Sequence, residues 1–194
     1  MKTNRQFSSF NITEVEAYAR LVHEGQIDDG GDPHYDHLVR VAEGARLKAQ
    51  EMPDGVLTLQ QIVEIYCLGL LHDVLEDTAK TETEREIRRN EIRGLGASEN
   101  FIGDLNMLSR VDPKPVYMAW IKDIADHGSL CALIVKLADN LDNGSDMRIS
   151  RLPEEKRSIK RRYERAFAIL WPAFEARKVG LDQRSSPGGF VDRP

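Results

Sequence analysis

The sequence predicts an all-α fold, a compact helical bundle of about eight helices. Almost every apolar segment repeats at helical spacing, and no stretch alternates apolar and polar residues as a half-buried strand would. The 194 residues suffice for a sizeable core, and 41% hydrophobic with 30% charged residues is ordinary for a globular protein. The net charge of −5 gives no general attraction to nucleic acid. We therefore expect one globular domain without a nucleic-acid partner.

The first four helices are recognised by the residues at their ends. Gly25 stops the first helix, and the turn Pro53-Asp54-Gly55 follows the second. Capping boxes beginning at Thr58 and Thr81 open the third and fourth. The third is apolar on nearly every face, which predicts a central buried helix. These signals predict helices at about 13–23, 35–51, 60–75 and 81–94.

The remaining helices are bounded in the same way. Ser98 begins the fifth and Asp112-Pro113 closes it, while Gly128 stops the sixth. Ser129 caps a second apolar helix, and Pro153 opens a last long one. These signals predict helices at about 98–110, 116–127, 130–141 and 153–178. Residues 181–194 are polar and rich in Gly, Pro and Ser, so we expect a disordered tail there.

Cysteine usage and the absence of long apolar runs bear on the compartment. Cys67 and Cys131 lie inside apolar stretches without metal-ligand spacing, which is typical of reduced core residues. Residues 1–10 contain no apolar signal core, and no apolar run approaches the ~20 residues of a membrane span. We therefore expect a cytoplasmic protein with no membrane partner.

Ionisable residues crowd the end of the first apolar helix. His72 and Asp73 are adjacent, so both can reach one ion at the helix edge. Glu76 and Asp77 follow one turn later. Buried charges are costly unless they are paired or bind a metal, and a helix C-terminus disfavours carboxylates. The pattern predicts a cation site, with an exposed polar helix end as the alternative.

The second apolar helix ends in a similar way. Asp139 closes its buried run, and Asn143 lies one turn further on the same face. Lys136 could pair with Asp139 or face a phosphate, and both interpretations stay open. If the two apolar helices pack together, Asp139 comes near His72. His37 at the start of the second helix would then provide a second nitrogen ligand, although a histidine in that position is more often a solvated cap.

The candidate ligands form a chemically coherent set. Two imidazoles and two carboxylates suit a first-row divalent ion such as zinc, manganese or iron, and the predicted ligands are His37, His72, Asp73 and Asp139. A bound cation lowers the pKa of its water and polarises a phosphoryl oxygen. Glu76 and Asp77 would orient or deprotonate that water. The sequence therefore predicts metal-assisted hydrolysis of a phosphoester or phosphoanhydride.

A histidine, then His-Asp, then a distant aspartate resembles the HD superfamily of metal-dependent phosphohydrolases. The order of motifs more closely resembles the hydrolase domain of Rel/SpoT proteins and the single-domain small alarmone hydrolases. Five segments carry this resemblance: 23–26, 33–37, 72–78, 117–121 and 136–143. It implies a single all-α HD hydrolase domain over residues 1–180, with 181–194 as the tail.

The resemblance also implies roles. His37, His72, Asp73 and Asp139 would bind one divalent ion, most commonly manganese, with iron or zinc as alternatives. Glu76 and Asp77 would be the catalytic acidic pair, and Asn143 would contact the nucleotide. The reaction would remove the 3′-pyrophosphate from (p)ppGpp. The substrate would then be a small nucleotide, and a homodimer is one expectation for a quaternary state that the sequence leaves open.

The chain departs from the family pattern in its first loop. Asp28-Asp29 stands where the family has an Arg-Lys pair that meets the guanine and phosphates, and His34 and Leu38 replace a tyrosine and a proline. An adenine alarmone such as (p)ppApp is therefore an open alternative. Candidate phosphate contacts, each with surface solvation as its alternative, are Arg40, Lys122, Lys136 and Arg148. Two further hypotheses are an HD hydrolase acting on another nucleotide (a nucleoside monophosphate, a triphosphate or a dinucleotide) and an inactive regulatory module that binds a nucleotide.

Overall fold

The computed structural model describes residues 8–111 and 113–185, most of which lie in helices. The α-helices are α1 (Ile12–Val22), α2 (His34–Gln50), α3 (Leu59–Leu71), α4 (Val74–Asp77), α5 (Glu82–Gly94), α6 (Glu99–Leu108), α7 (Tyr117–His127), α8 (Leu130–Asn143), α9 (Asp146–Arg151) and α10 (Lys160–Ser185). A 3-10 helix, Glu154–Ile159, precedes α10. Among the described residues the extended pairing is limited to one isolated bridge between Ile27 and Pro33. The predicted all-α class is confirmed.

The two apolar helices, α3 and α8, lie at the centre of the core. Ten consecutive residues of α8, 131–140, are buried. Cys67 on α3 and Cys131 on α8 are buried and form no disulfide, as predicted. Helix α2 packs against both central helices. Gly69 permits the close approach of α3 to α2, because a Cβ at this position would lie 2.6 Å from Ala42 Cα. This packing brings the start of α2 beside the end of α3.

The central helix is shorter than predicted. It ends at Leu71 rather than continuing to residue 75, and α4 begins after a break at His72 and Asp73. The His72 ring donates Nδ1–H to the Gly69 carbonyl oxygen at 2.7 Å, the acceptor that the Asp73 N–H would take in a continuing helix. The acidic residues therefore do not lie at the C-terminus of a long helix. The helix-dipole part of the sequence argument was wrong, whereas the argument from burial does not depend on it.

The C-terminal part also differs in detail. Helix α9 was not predicted, and the 3-10 helix occupies the stretch after Pro153 where a continuous α-helix was expected. Helix α10 includes Pro172 and continues to Ser185, beyond the point where the disordered tail was expected to begin. Residues 186–194 of that expected tail lie outside the described residues.

Candidate metal centre and active site

The structure brings the four predicted ligands together where α2, α3 and α8 meet. One donor atom from each of His37, His72 and Asp139 lies within 4.8 Å of the other two, and all three residues are buried. Asp73 Oδ2 is 3.2 Å from His72 Nε2 and 3.7 Å from His37 Nε2. Residues up to 102 positions apart in the sequence therefore surround one point.

Hydrogen bonds orient both imidazoles toward this point. His72 Nδ1 is 2.7 Å from the Gly69 carbonyl oxygen, and His37 Nδ1 is 2.7 Å from Asp142 Oδ2. Because each Nδ1 donates outward, each Nε2 is directed inward and offers a lone pair to a metal once its proton is displaced. His72 Nε2 is buried without a hydrogen-bond partner. These residues fit a divalent cation.

The negative charges of the aspartates favour protonation of the two imidazoles, so the pKa values of His37 and His72 are raised in the absence of a metal. Burial opposes a charge on His72, but Asp73 and Asp139 outweigh it and hold the pKa of His72 well above its usual range. Burial likewise opposes ionisation of Asp139, yet Lys136 and the two histidines hold the pKa of that carboxyl well below its usual range. A cation bound here would replace the proton on the imidazole, so its binding releases protons.

Glu76 and Asp77 face the same cleft. Glu76 Oε2 accepts the Arg110 N–H at 3.1 Å, and Glu76 Oε1 lies 3.1 Å from Lys114 Nζ. Burial and repulsion by Asp73 raise the pKa of Asp77 to about 6. One carboxyl of the pair is therefore held in place, and the other titrates close to neutral pH.

The cleft has a volume of about 190 Å³ and is lined by both acidic and basic side chains. Its basic lining residues are Arg110, Lys136, Arg148 and Arg162. Arg110 and Arg162 were not predicted from the sequence, and both guanidinium groups lie over the Tyr117 ring, at 5.6 and 4.6 Å from its centre. Tyr117 belongs to a segment that carried the family resemblance, but neither arginine had a local signal. This group of one tyrosine and two arginines suits the binding of phosphate groups and of a planar base.

The predicted substrate contacts differ in position. Asn143 lines the cleft and donates Nδ2–H to Asp139 Oδ1 at 2.5 Å. Lys136 lines it as well and pairs with Asp139 at 2.7 Å, as its ion-pair interpretation predicts. Arg148 also lines the cleft, whereas Arg40 is not part of the lining. Lys122 is exposed and pairs with Asp126, as its solvated alternative predicts.

The sequence did not lead us to Asp142, whose carboxylate links His37 to two arginines. Its carboxylate accepts from His37 Nδ1, Arg40 Nε and Arg148 Nη1, each at 2.7 Å. Asp142 lies three residues after Asp139 on α8, and this spacing was the available signal. Asp142 therefore orients His37, and Arg40 acts on the centre through Asp142.

Sequence reasoning also missed His34, whose side chain lies beside the predicted ligands. Its Nε2 is 3.4 Å from Asp73 Oδ2 and 3.4 Å from Asp77 Oδ2. The sequence favoured a structural role for His23. The centre of its ring lies 4.9 Å from the centre of the His34 ring. Burial lowers the pKa of His23 to about 4, so this imidazole is neutral. The replacement of the family tyrosine was the signal that could have identified His34.

The loop with reversed charge is held together internally. Asp28 Oδ1 accepts the N–H groups of Gly30 and Asp32, and Asp28 Oδ2 pairs with Arg148 at 3.1 Å. Asp29 is exposed and pairs with Lys156. Asp28 therefore shapes the loop and shares the Arg148 guanidinium with Asp142.

This helical fold and its centre of histidines and aspartates define a class, the metal-dependent phosphohydrolases. The family model described as HD domain matches residues 34–144, more than half of the chain. The chain belongs to the HD domain family, which confirms the superfamily and the enzyme class expected from its motifs.

Curated relatives share 26–29% identity with this chain. A GTP pyrophosphokinase of Myxococcus xanthus is 26% identical over 172 residues, which are 82% of this chain and 21% of the relative. The GTP pyrophosphokinase rsh of Brucella melitensis is 29% identical over 149 residues, 75% of this chain and 18% of the relative. A probable guanosine-3′,5′-bis(diphosphate) 3′-pyrophosphohydrolase of Mycoplasma pneumoniae is 27% identical over 160 residues, 75% of this chain and 19% of the relative. The chain thus spans about a fifth of the length of these curated relatives.

A solved structure of a metazoan ortholog of SpoT, described as hydrolysing ppGpp, has the same fold. It superposes with a TM-score of 0.61 at 20% sequence identity, over 93% of this chain and 99% of that chain.

Within the described residues, no helix is both long and apolar enough to cross a membrane.

Proposed function

We propose that the chain is a metal-dependent hydrolase that removes the 3′-pyrophosphate from a guanosine or adenosine alarmone, (p)ppGpp or (p)ppApp. One observation carries the proposal: two imidazoles and two carboxylates converge beneath a cleft that presents an acidic pair and four cationic side chains. The Mycoplasma relative, a probable guanosine-3′,5′-bis(diphosphate) 3′-pyrophosphohydrolase, and the metazoan SpoT ortholog that hydrolyses ppGpp support this substrate class.

In this proposal the metal ligands are His37, His72, Asp73 and Asp139, and the ion is Mn²⁺, with Fe²⁺ or Zn²⁺ as alternatives. Such an ion supplies an acidified water and a polarised phosphoryl oxygen. Glu76, held by Arg110 and Lys114, takes a proton from the attacking water. Asp77 lies beside Glu76 in the cleft and helps to orient that water.

The substrate is held by groups from several helices. Lys136 and Arg148 face the pyrophosphate, and Asn143 contacts the nucleotide. Arg110 and Arg162, whose guanidinium groups lie over the Tyr117 ring, add phosphate contacts and a planar surface on which the base can stack. Arg40 positions Asp142 rather than contacting the substrate.

A second candidate is an HD hydrolase acting on another nucleotide, such as a nucleoside monophosphate, a triphosphate or a dinucleotide. Asp28 favours it, because this carboxylate pairs with Arg148 where the related hydrolases have a basic residue. An inactive nucleotide-binding module has less support, since Glu76 and Asp77 both face the cleft. The cytoplasmic location and the homodimer remain predictions.

A substrate panel tests these proposals. The metal-loaded protein is incubated with ppGpp, ppApp, GTP, GMP and a dinucleoside polyphosphate, and the products are separated by ion-exchange chromatography. We expect pyrophosphate and a nucleoside 5′-diphosphate from ppGpp or ppApp. Turnover of neither alarmone refutes the alarmone assignment, and phosphate or triphosphate release from another substrate supports the second candidate.

A matched pair of variants links the activity to the cleft. Glu76→Gln should lower kcat by about 10²–10⁴-fold, because an amide cannot accept the proton. Glu86→Gln, an exposed change on α5, should leave kcat within twofold of wild type. Equal activity of both variants would contradict the role of Glu76.

A further inference from the structure

A second group of donor atoms lies beside the predicted ion. One donor atom from each of His23, His34 and Asp77 lies within 4.8 Å of the other two. His34 Nε2 is 3.4 Å from Asp77 Oδ2 and also 3.4 Å from Asp73 Oδ2. The same Asp73 oxygen is 3.2 Å from His72 Nε2. Asp73 therefore lies between the two groups of donors.

Both imidazoles present an unpartnered nitrogen. His23 Nδ1 is 2.8 Å from Gln26 Oε1, which leaves Nε2 as the acceptor. His23 Nε2 is buried without a hydrogen-bond partner, and His34 Nε2 is buried without a well-aligned hydrogen bond to the two carboxylate oxygens that lie 3.4 Å away. Because buried polar atoms are almost always hydrogen-bonded, two such atoms directed into one small volume indicate a ligand there. Imidazole nitrogen beside carboxylate oxygen suits a first-row divalent cation.

The backbone holds the two rings in this arrangement. His23 is the C-terminal cap of α1, and His34 is the first residue of α2. The connecting loop is closed by the Ile27–Pro33 bridge and by the His34 N–H, which donates to the Gln26 carbonyl oxygen at 2.9 Å. The donors are thus preorganised.

We propose that His23, His34 and Asp77 bind a second divalent cation, and that Asp73 bridges it to the ion predicted at His37 and His72. Two-metal centres hold their ions ~3.5–4 Å apart and clamp both the attacking and the leaving oxygen of a phosphoryl group. Asp77 then acts as a ligand, and Glu76 is the member of the acidic pair that accepts the proton. This inference goes beyond the proposed hydrolysis and does not depend on the identity of the nucleotide.

Metal stoichiometry tests the second site. The full-length protein is stripped with a chelator, equilibrated with excess Mn²⁺, freed of unbound ion by gel filtration and measured by elemental mass spectrometry. His34→Phe keeps an aromatic ring but removes both nitrogens, and His23→Asn removes the other imidazole. His127→Asn is the control, because His127 is exposed at the end of α7. We expect two ions in wild type and in His127→Asn, and one in each of the other two variants.

Electron paramagnetic resonance gives an independent readout. Wild type should show an exchange-coupled Mn²⁺ pair, and His34→Phe should show isolated Mn²⁺. If a histidine variant loses its helical circular dichroism, Asp77→Asn replaces it with the same expected stoichiometry of one.

The outcomes separate this site from the proposed function. The second site is overturned if wild type binds one ion and His34→Phe still binds that ion. It is also overturned if wild type binds two uncoupled ions and His34→Phe retains both. A coupled pair without hydrolysis of any alarmone refutes the proposed substrate but supports the site. A chain that binds no ion overturns both.

Discussion

Asp142 offers the sharpest test of how the centre is built. Replacing it by alanine removes the acceptor of His37 Nδ1–H and leaves two guanidinium groups, Arg40 and Arg148, without this carboxylate. The imidazole loses its fixed orientation, and two positive charges remain close to the cation. Losing one such supporting partner typically weakens metal binding 10–100-fold. Because the added charge repels the ion, we expect the upper end, about 100-fold or ~2.8 kcal/mol.

The variant should also reduce the stability of the metal-free protein. Removing one partner of a fully buried ion pair costs ~3–5 kcal/mol, and the loss here should be below that range because the Arg40 side chain is 29% exposed and can turn to water. Asp142→Asn keeps one acceptor oxygen for His37, so it should weaken metal binding by less than about tenfold.

The assay is competition for Mn²⁺ against a chelating dye, in a His34→Phe background so that the His37 site is titrated alone. Asp146→Asn is the matched control, because Asp146 lies on the neighbouring helix, is 89% exposed and pairs with Lys160. A Kd for Asp142→Ala within twofold of this control would refute the view that Asp142 orients His37.

The remaining predictions concern stability. Lys136→Met should lower the free energy of unfolding of the metal-free protein by about 3 kcal/mol, because it leaves the Asp139 carboxylate buried without its 2.7 Å partner. Mn²⁺ should restore most of this loss, and equal losses with and without Mn²⁺ in urea titrations would count against the assignment of Asp139 as a ligand. Gly69→Ala should cost about 1–3 kcal/mol, because its Cβ would lie 2.6 Å from Ala42 Cα. Gly103→Ala, with open space around its Cβ, should be neutral or stabilise by up to about 1 kcal/mol, and a similar loss for both alanines would refute the packing argument.

Local sequence carried much of the fold and of the predicted ligand set. Apolar periodicity and caps at Thr58, Thr81, Ser98 and Ser129 predicted helix starts within about one residue of those observed. His72 was prominent because a charged group at the end of an apolar helix conflicts with burial unless something binds it. Such conflicts between local rules and burial can be seen in one sequence.

Other features depend on contacts that one sequence does not reveal. The break between α3 and α4 arises because the His72 side chain takes the Gly69 carbonyl oxygen, a competition invisible to periodicity. Arg110 and Arg162 meet at Tyr117 although 52 residues separate them in the sequence, so only tertiary packing makes them neighbours. His34 was noticed as a departure from the family, but its role required the position of His23.

The loop with reversed charge changes the view of substrate recognition once its contacts are considered. Two aspartates near a phosphate site would repel the substrate if they faced it. Instead, Asp28 pairs with Arg148, and Asp29 pairs with Lys156 at the surface. The other cationic side chains of the cleft, Arg110, Lys136 and Arg162, lie outside this loop. The side chains proposed to contact phosphate therefore lie outside the loop that contains Asp28 and Asp29. The residues of this loop can then change the contacts to the base without altering the hydrolytic residues. We therefore expect the base preference found in the substrate panel to depend on Tyr117 and on the two arginines that lie over its ring, Arg110 and Arg162.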